Sequence, residues 1–232
     1  MELKGKSAII TGVSRGIGKA CVLALLDKGV KVAGFGMRAP DYSHGNFKFI
    51  QTDVRDHLKV EASFKTAMDF LGGELHILIN NAGLGYFGYM EDTTVEQWKE
   101  LFETNVNGIF YCSRLALPGM KKQQYGHIIN IASTAALEGM AQVSAYCGTK
   151  WAVKGISESL YKELRDFKIK VTCVCPGSVQ TDFFRNSPSV QPHSYMLQPE
   201  DVASTILHAL EMPDNFHHVN IEVRPLQPKG PK

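Results

Sequence analysis

Thr11-Gly12-Val13-Ser14-Arg15-Gly16-Ile17-Gly18 is the stretch that decides how the chain folds. It stands between a short apolar run, Ala8-Ile9-Ile10, and a segment in which Ile17, Ala20, Cys21, Ala24 and Leu25 recur at i, i+3, i+4, i+7 and i+8. The run reads as a buried strand and the periodic segment as a one-sided helix. Glycines at a strand-to-helix turn let the backbone approach a pyrophosphate, with free helix N–H groups and the helix dipole facing the anion. Gly12, Ser14, Arg15, Gly16, Ile17 and Gly18 are therefore candidate contacts to a dinucleotide.

Outward from this turn the same alternation repeats. Gly29 ends the first helix, and further strands are expected at 30–34, 47–51, 77–80, 127–132, 170–175 and 219–223. Helical segments fall between most of them, the longest at 95–117 and 145–167. Repeated β-α-β units with continuously apolar strands imply an α/β fold, a doubly wound parallel sheet of about seven strands with helices on both faces. No repeat or linker divides the chain, so residues 1–232 are expected to form one domain. The stretch 183–199, with Pro188, Pro192 and Pro199, reads as a long surface loop suited to a substrate lid. Its Phe183, Phe184, Tyr195 and Met196 point to a partly apolar substrate or to anchoring of the loop itself.

Composition narrows the function classes. The 232 residues are 44% apolar and 21% charged, enough for a substantial core and unlike a disordered chain. Lys plus Arg number 25 against 23 acids, and no basic cluster exceeds a pair such as Lys121-Lys122, which argues against a nucleic-acid partner. The apolar runs, such as 21–26, fall far short of the roughly 18 residues a membrane span needs. The first residues show no secretory pattern. Five scattered cysteines (Cys21, Cys112, Cys147, Cys173 and Cys175) read as free buried thiols in a reducing, cytoplasmic setting. Cys173 and Cys175 share a strand face but have no second pair to complete a metal site, so core packing is expected. The histidines show no metal-ligand spacing, and His217-His218 reads as part of a solvated turn.

The turn's spacing, G-x-x-x-G-x-G with a threonine before the first glycine, resembles the short-chain dehydrogenase/reductase family of classical type. Further motifs follow in order. Asp53-Val54 after the third strand matches the family's acidic contact to the adenine ring. Asn80-Asn81-Ala82-Gly83 after the fourth matches its N-N-A-G stretch beside the cofactor, so Asn81, Ala82 and Gly83 are cofactor candidates. Pro176-Gly177 follows the sixth strand, with Val179 and Thr181 where the family holds the nicotinamide carboxamide. The matches run from Lys6 to about Asp182 and imply a Rossmann fold with a nicotinamide cofactor.

Tyr146 and Lys150 stand four apart on a helix whose core stripe is expected to include Ala152, Ile156, Leu160 and Leu164, so phenol and ammonium share a face. A phenol with a pKa of about 10 is a poor proton catalyst at neutral pH, and a cation within ~4–6 Å lowers that value. Ser133 closes the fifth strand at the edge where such sheets bind ligands, and its hydroxyl can orient a carbonyl. These three match the family's Ser, Tyr and Lys. Asn105, in Asn105-Val106-Asn107-Gly108, matches its N-x-x-G. By resemblance Asn105 holds a water joining Lys150 to solvent; by itself it reads as a helix-interior amide bonded to backbone. The resemblance implies hydride transfer between the nicotinamide and a carbonyl or alcohol, Tyr146 acting as general acid or base. Lys150 also holds the nicotinamide ribose in that family, so Tyr146 and Lys150 count among the cofactor contacts.

The second strand ends Gly34-Phe35-Gly36-Met37-Arg38, without the acid that NAD-preferring folds place there. Arg38, with Arg15, suits a 2′-phosphate, so NADP(H) is expected to be preferred and NAD(H) possible. Asp41 folding back to the ribose is the alternative. The C-terminal Asn220-Ile221-Glu222-Val223-Arg224-Pro225-Leu226 lacks the final glycine pair of 3-oxoacyl-carrier-protein reductases, which puts that substrate and that family's tetramer contact in doubt. A non-catalytic dinucleotide-binding regulator would not need the intact Ser, Tyr and Lys set. A nucleotide-sugar epimerase would need a larger C-terminal domain and a different glycine turn. Trp151, Ala152, Val153 and Ile156 cover more of a helix than one sheet face buries, so a homodimer or homotetramer is expected.

Overall fold

The computed structural model describes residues 2–183 and 193–227. Seven parallel strands form one sheet in the order β3-β2-β1-β4-β5-β6-β7. They are β1 (Ser7–Thr11), β2 (Lys31–Gly36), β3 (Phe47–Gln51), β4 (Ile77–Asn80), β5 (Gly126–Ile131), β6 (Ile169–Pro176) and β7 (Asn220–Val223). The expected strands fall within two residues of these limits, because continuous apolar runs between turn residues mark strands buried on both faces. Successive residues of one strand serve opposite faces. Ile10 joins Cys21 and Leu25 of α1 (Gly16–Asp27) and Val202 and Ile206 of α6 (Pro199–Glu211). Ile9 joins Phe64 of α2 (His57–Leu71), Met120 of α4 (Gly108–Gln123) and Leu164 of α5 (Ser144–Leu164).

Three local readings need correction. The segment 95–117 is not one helix: α3 (Val95–Phe102) passes into a π-helical turn at Glu103–Asn107 before α4 begins. Gly108 permits that junction to close on the loop after β3, since a Cβ there would stand 3.0 Å from Val54 Cγ2. On α5 the buried stripe runs through Thr149, Val153 and Ser157, while Ala152, Ile156 and Leu160 are half-buried. Polar residues can occupy that stripe because they are bonded: the Ser157 hydroxyl donates to Val153 O at 2.7 Å and accepts from Asn130 Nδ2 at 2.9 Å. His217 and His218 are half-buried rather than solvated, with His217 packed 5.0 Å from the Tyr161 ring and 6.0 Å from His127.

All five cysteines are buried and free. Cys173 and Cys175 pack with Ile109, Ala132, Ala136 and Val153, their sulfurs 3.8 Å apart. No helix among the described residues is long and apolar enough to cross a membrane. Of the lid stretch, 184–192 lies outside the described residues, Phe184, Pro188 and Pro192 included. Leu197 bridges to Val179, Met196 is buried and Tyr195 is exposed, so the far side of the loop is anchored through Met196 and Leu197.

Candidate active site

Strand order reverses at β1 and β4, whose following loops therefore diverge and leave a crevice at their carboxyl ends. Side chains stitch the crevice walls together. Thr11 Oγ1 accepts from the backbone N–H groups of Asn81 and Ala82 at 3.0 and 2.9 Å. Asn81 Nδ2 donates to Thr11 O and Gly12 O at 2.9 and 3.0 Å. Here a cleft of about 990 Å³ opens, lined by every candidate residue except Gly18 and Asn105.

The glycines are fixed by close packing. Gly12 has φ +74°, and a Cβ there would stand 2.9 Å from Ala82 Cα. At Gly18 a Cβ would fall 2.1 Å from Gly12 O, so Gly18 lies beneath the turn and holds its shape. Arg15, the N-cap of α1, supplies no side-chain cap, which leaves the helix's first N–H groups without a side-chain acceptor at the cleft wall. Ser14, Gly16 and Ile17 complete that wall, and Thr181 closes over it with Cγ2 3.2 Å from where a Gly16 Cβ would be. Pro176 and Gly177 line the cleft at the end of β6, and the Gly177 N–H donates to Val223 O at 2.8 Å.

Charges toward the β2–β3 end are mostly paired. Arg15 Nη1 lies 2.8 Å from Asp182, and Asp41, which lines the cleft, lies 2.7 Å from Lys19. Both Asp53 oxygens accept from Arg55 Nε at 3.0 Å, which holds the Asp53 carboxyl below the usual range. Arg55 Nη1 donates to Glu100 at 2.7 Å, and the other Glu100 oxygen accepts from the Tyr86 hydroxyl. This Asp53–Arg55–Glu100–Tyr86 chain escaped the sequence reading, because nothing in local spacing signals pairing between separate loops. Arg38 is exposed, lines the cleft and has no ion pair among the described residues.

Ser133, Tyr146 and Lys150 converge on the other side of the cleft. Ser133 follows β5, extended at φ −174°, and its hydroxyl accepts from the Ala135 N–H at 3.2 Å. Lys150 Nζ donates to Ile131 O at 2.9 Å and lies 5.6 Å from the Tyr146 ring centroid. Burial pushes the phenol above its ordinary value, with the Ser133 hydroxyl pulling it partly back, and burial also brings Lys150 down to about 8. Desolvation disfavours phenolate and ammonium alike, so the phenol retains its proton at neutral pH.

Asn105 is buried in the π-helical turn behind the cleft. Its Oδ1 accepts from the Leu84 N–H at 2.9 Å, and its Nδ2 donates to Leu84 O at 2.9 Å and to Thr149 Oγ1 at 3.0 Å. Thr149 in turn donates to Tyr146 O at 2.8 Å. The side-chain amide therefore fixes the loop after β4 to the helix that carries Tyr146, as the backbone-bonded reading has it. Residues missed by sequence reading complete the wall beside Tyr146: Leu84, Tyr86, Phe87 and Val143 pack around it with Phe183.

Comparison with known proteins identifies the family and the fold. Residues 6–191 match the model of the short chain dehydrogenase family. An uncharacterized oxidoreductase of Staphylococcus aureus (strain USA300) is 34% identical over 232 residues, covering 97% of this chain and 99% of the relative. The closed form of serine dehydrogenase complexed with NADP+ superposes with a TM-score of 0.85 at 28% identity, over 94% of each chain. ElxO with NADP bound gives 0.85 at 26% identity, over 95% of this chain and 97% of the other. With its glycine turn, switch-point crevice and Ser, Tyr and Lys convergence in place, the chain belongs to the short-chain dehydrogenase family of oxidoreductases.

Proposed function

We propose that the protein interconverts carbonyl compounds and alcohols using a nicotinamide dinucleotide, with NADP(H) preferred. The observation that carries this reading is the convergence of Ser133, Tyr146 and Lys150 on the cleft that begins at the uncapped start of α1. That helix start suits a pyrophosphate, and Arg38 at the end of β2 is the cation available to a 2′-phosphate. NADP in two structural relatives supports the same preference. When bound, the dinucleotide supplies or accepts the hydride.

The chain's own residues do the rest. Ser133 donates a hydrogen bond that orients the carbonyl oxygen beside Tyr146. The Tyr146 phenol, kept protonated by burial, gives its proton to that oxygen as negative charge develops there. Lys150, still mostly charged at neutral pH, stabilises the phenolate left behind and holds the cofactor ribose. Asn105 positions both walls through Leu84 and Thr149. Thus Tyr146→Phe should fold and bind NADPH normally yet lose ~10²–10⁴-fold in turnover of a ketone panel followed by nicotinamide absorbance. Retention of more than about a tenth of wild-type turnover would refute the role of Tyr146.

The working form in this reading is a homo-oligomer. Trp98 on α3, Phe110 on α4 and Trp151 on α5 are 40%, 53% and 49% exposed, large apolar groups on the helices flanking the site.

A further inference from the structure

The substrate side of the cleft has a chemistry of its own. Phe87 lies 5.6 Å from the Tyr146 ring centroid and 6.2 Å from Phe183, and Phe183 lies 5.7 Å from Tyr146. All three rings line the cleft, with Leu84, Met140 and Val143 beside them. Gly85 allows this packing: a Cβ there would stand 2.8 Å from Phe87 Cε2 and 2.9 Å from Phe183 Cε1, so any side chain displaces the rings. The loop is also tied down, since the Gly88 N–H donates to Gln142 O at 2.7 Å and Asn105 holds Leu84 at both backbone groups.

Among the described residues, charge on this side is confined to Lys150. Among the described residues, the cleft's acids and bases pair as Arg15 with Asp182, Asp41 with Lys19, and Asp53 with Arg55 and Glu100. Lys150 is bonded to Ile131 O and lies 5.6 Å from the Tyr146 ring centroid. Arg38 follows β2, three strand positions from β5, or about 14 Å. The polar groups near Tyr146 are neutral: Ser133, Thr134 and Gln142. A carboxylate or phosphate seated here would lose its hydration with no cation among the described residues to replace it except Lys150, which Ile131 O already engages.

We propose that Phe87 and Phe183 form an aromatic clamp beside Tyr146, set by Gly85, that selects uncharged ketones or aldehydes bearing a flat apolar substituent next to the carbonyl. This rests on the carbonyl/alcohol reading above and names its substrate class. Rings packed edge or tilted to one another accept a further ring readily, and an apolar aliphatic group gains less from the same surface.

The test compares three probes on the NADP+-loaded protein by calorimetric titration, and with NADPH by kcat/KM: methyl benzoylformate, benzoylformate and methyl pyruvate. The first pair differs in charge and one ester methyl, and the two esters differ in a phenyl against a methyl group. Methyl benzoylformate should bind at least about 10-fold tighter than either of the others. Gly85→Ala, Phe87→Ala and Phe183→Ala should each cut the methyl benzoylformate to methyl pyruvate ratio by about 10-fold or more. Equal or tighter binding of benzoylformate, equal binding of methyl pyruvate, no binding of any probe, or ratios unmoved in all three variants would overturn the clamp. Binding with the expected preference but without turnover would support the clamp while removing carbonyl reduction as the activity.

Discussion

Asn105→Ala separates an anchoring amide from a dispensable one. The substitution removes three hydrogen bonds, to Leu84 N, Leu84 O and Thr149 Oγ1, all at 2.9–3.0 Å. A typical bond contributes roughly 0.5–1.5 kcal/mol, and a buried group left without a partner costs about 1–3 kcal/mol. Leu84 is half-buried, so water can replace part of its loss, whereas Thr149 is fully buried and retains only its bond to Tyr146 O. The expected destabilisation is ~2–4 kcal/mol, or a Tm lowered by roughly 5–15 °C for a chain of this length. The loop carrying Leu84 and Phe87 would loosen against α5, so KM for the carbonyl should rise more than KM for NADPH. Scanning calorimetry of the protein without cofactor, together with initial rates, measures both effects. A Tm within about 2 °C of wild type would refute the anchoring role. A lowered Tm with both KM values unchanged would show that the anchor serves the fold alone.

Arg38→Ala should weaken NADPH binding about 10- to 150-fold, equivalent to roughly 1.5–3 kcal/mol, while sparing NADH; equal losses in calorimetric titrations would assign Arg38 to the fold. His127 is fully buried with Nε2 2.8 Å from Thr172 Oγ1, and burial first, then nearby His217 and Lys170, holds it well below its ordinary value. His76 and His217 shift the same way, again chiefly through burial. The unfolded chain then binds protons first, so stability is full above about pH 6.5 and falls as pH drops below it. For His127 the slope approaches ~1.4 kcal/mol per pH unit. Urea midpoints that stay flat from about pH 7 to 5 would contradict this, and His127→Gln should shallow the slope. Light scattering should give a multiple of 25.7 kDa; a monomer mass unchanged on concentration would refute the oligomer.

Local order made most of the scaffold legible. Strands buried on both faces are written as unbroken apolar runs; Gly12 and Gly18 mark the turn because a side chain would collide there, and Gly16 because its φ is +56°. Helix spacing puts Tyr146 and Lys150 on one face and Ser133 at a strand end, and the resemblance to the short-chain dehydrogenases singled them out. The π-helical turn at Glu103–Asn107 was not readable, since its residues suit an ordinary helix and only its setting against Val54 and Leu84 marks it out.

By itself, then, the sequence determined the element order, the parallel sheet and the glycine turn. Those features follow from periodicity and turn chemistry within a few residues. Tertiary structure alone decided that Asn105 binds Leu84 and Thr149, that Glu100 joins Arg55 to Tyr86, and that Phe87 meets Phe183 over Gly85. It also decided the burial of Tyr146 and the upward push on its pKa, because desolvation depends on how many separate segments close over a group, and no local pattern records that number.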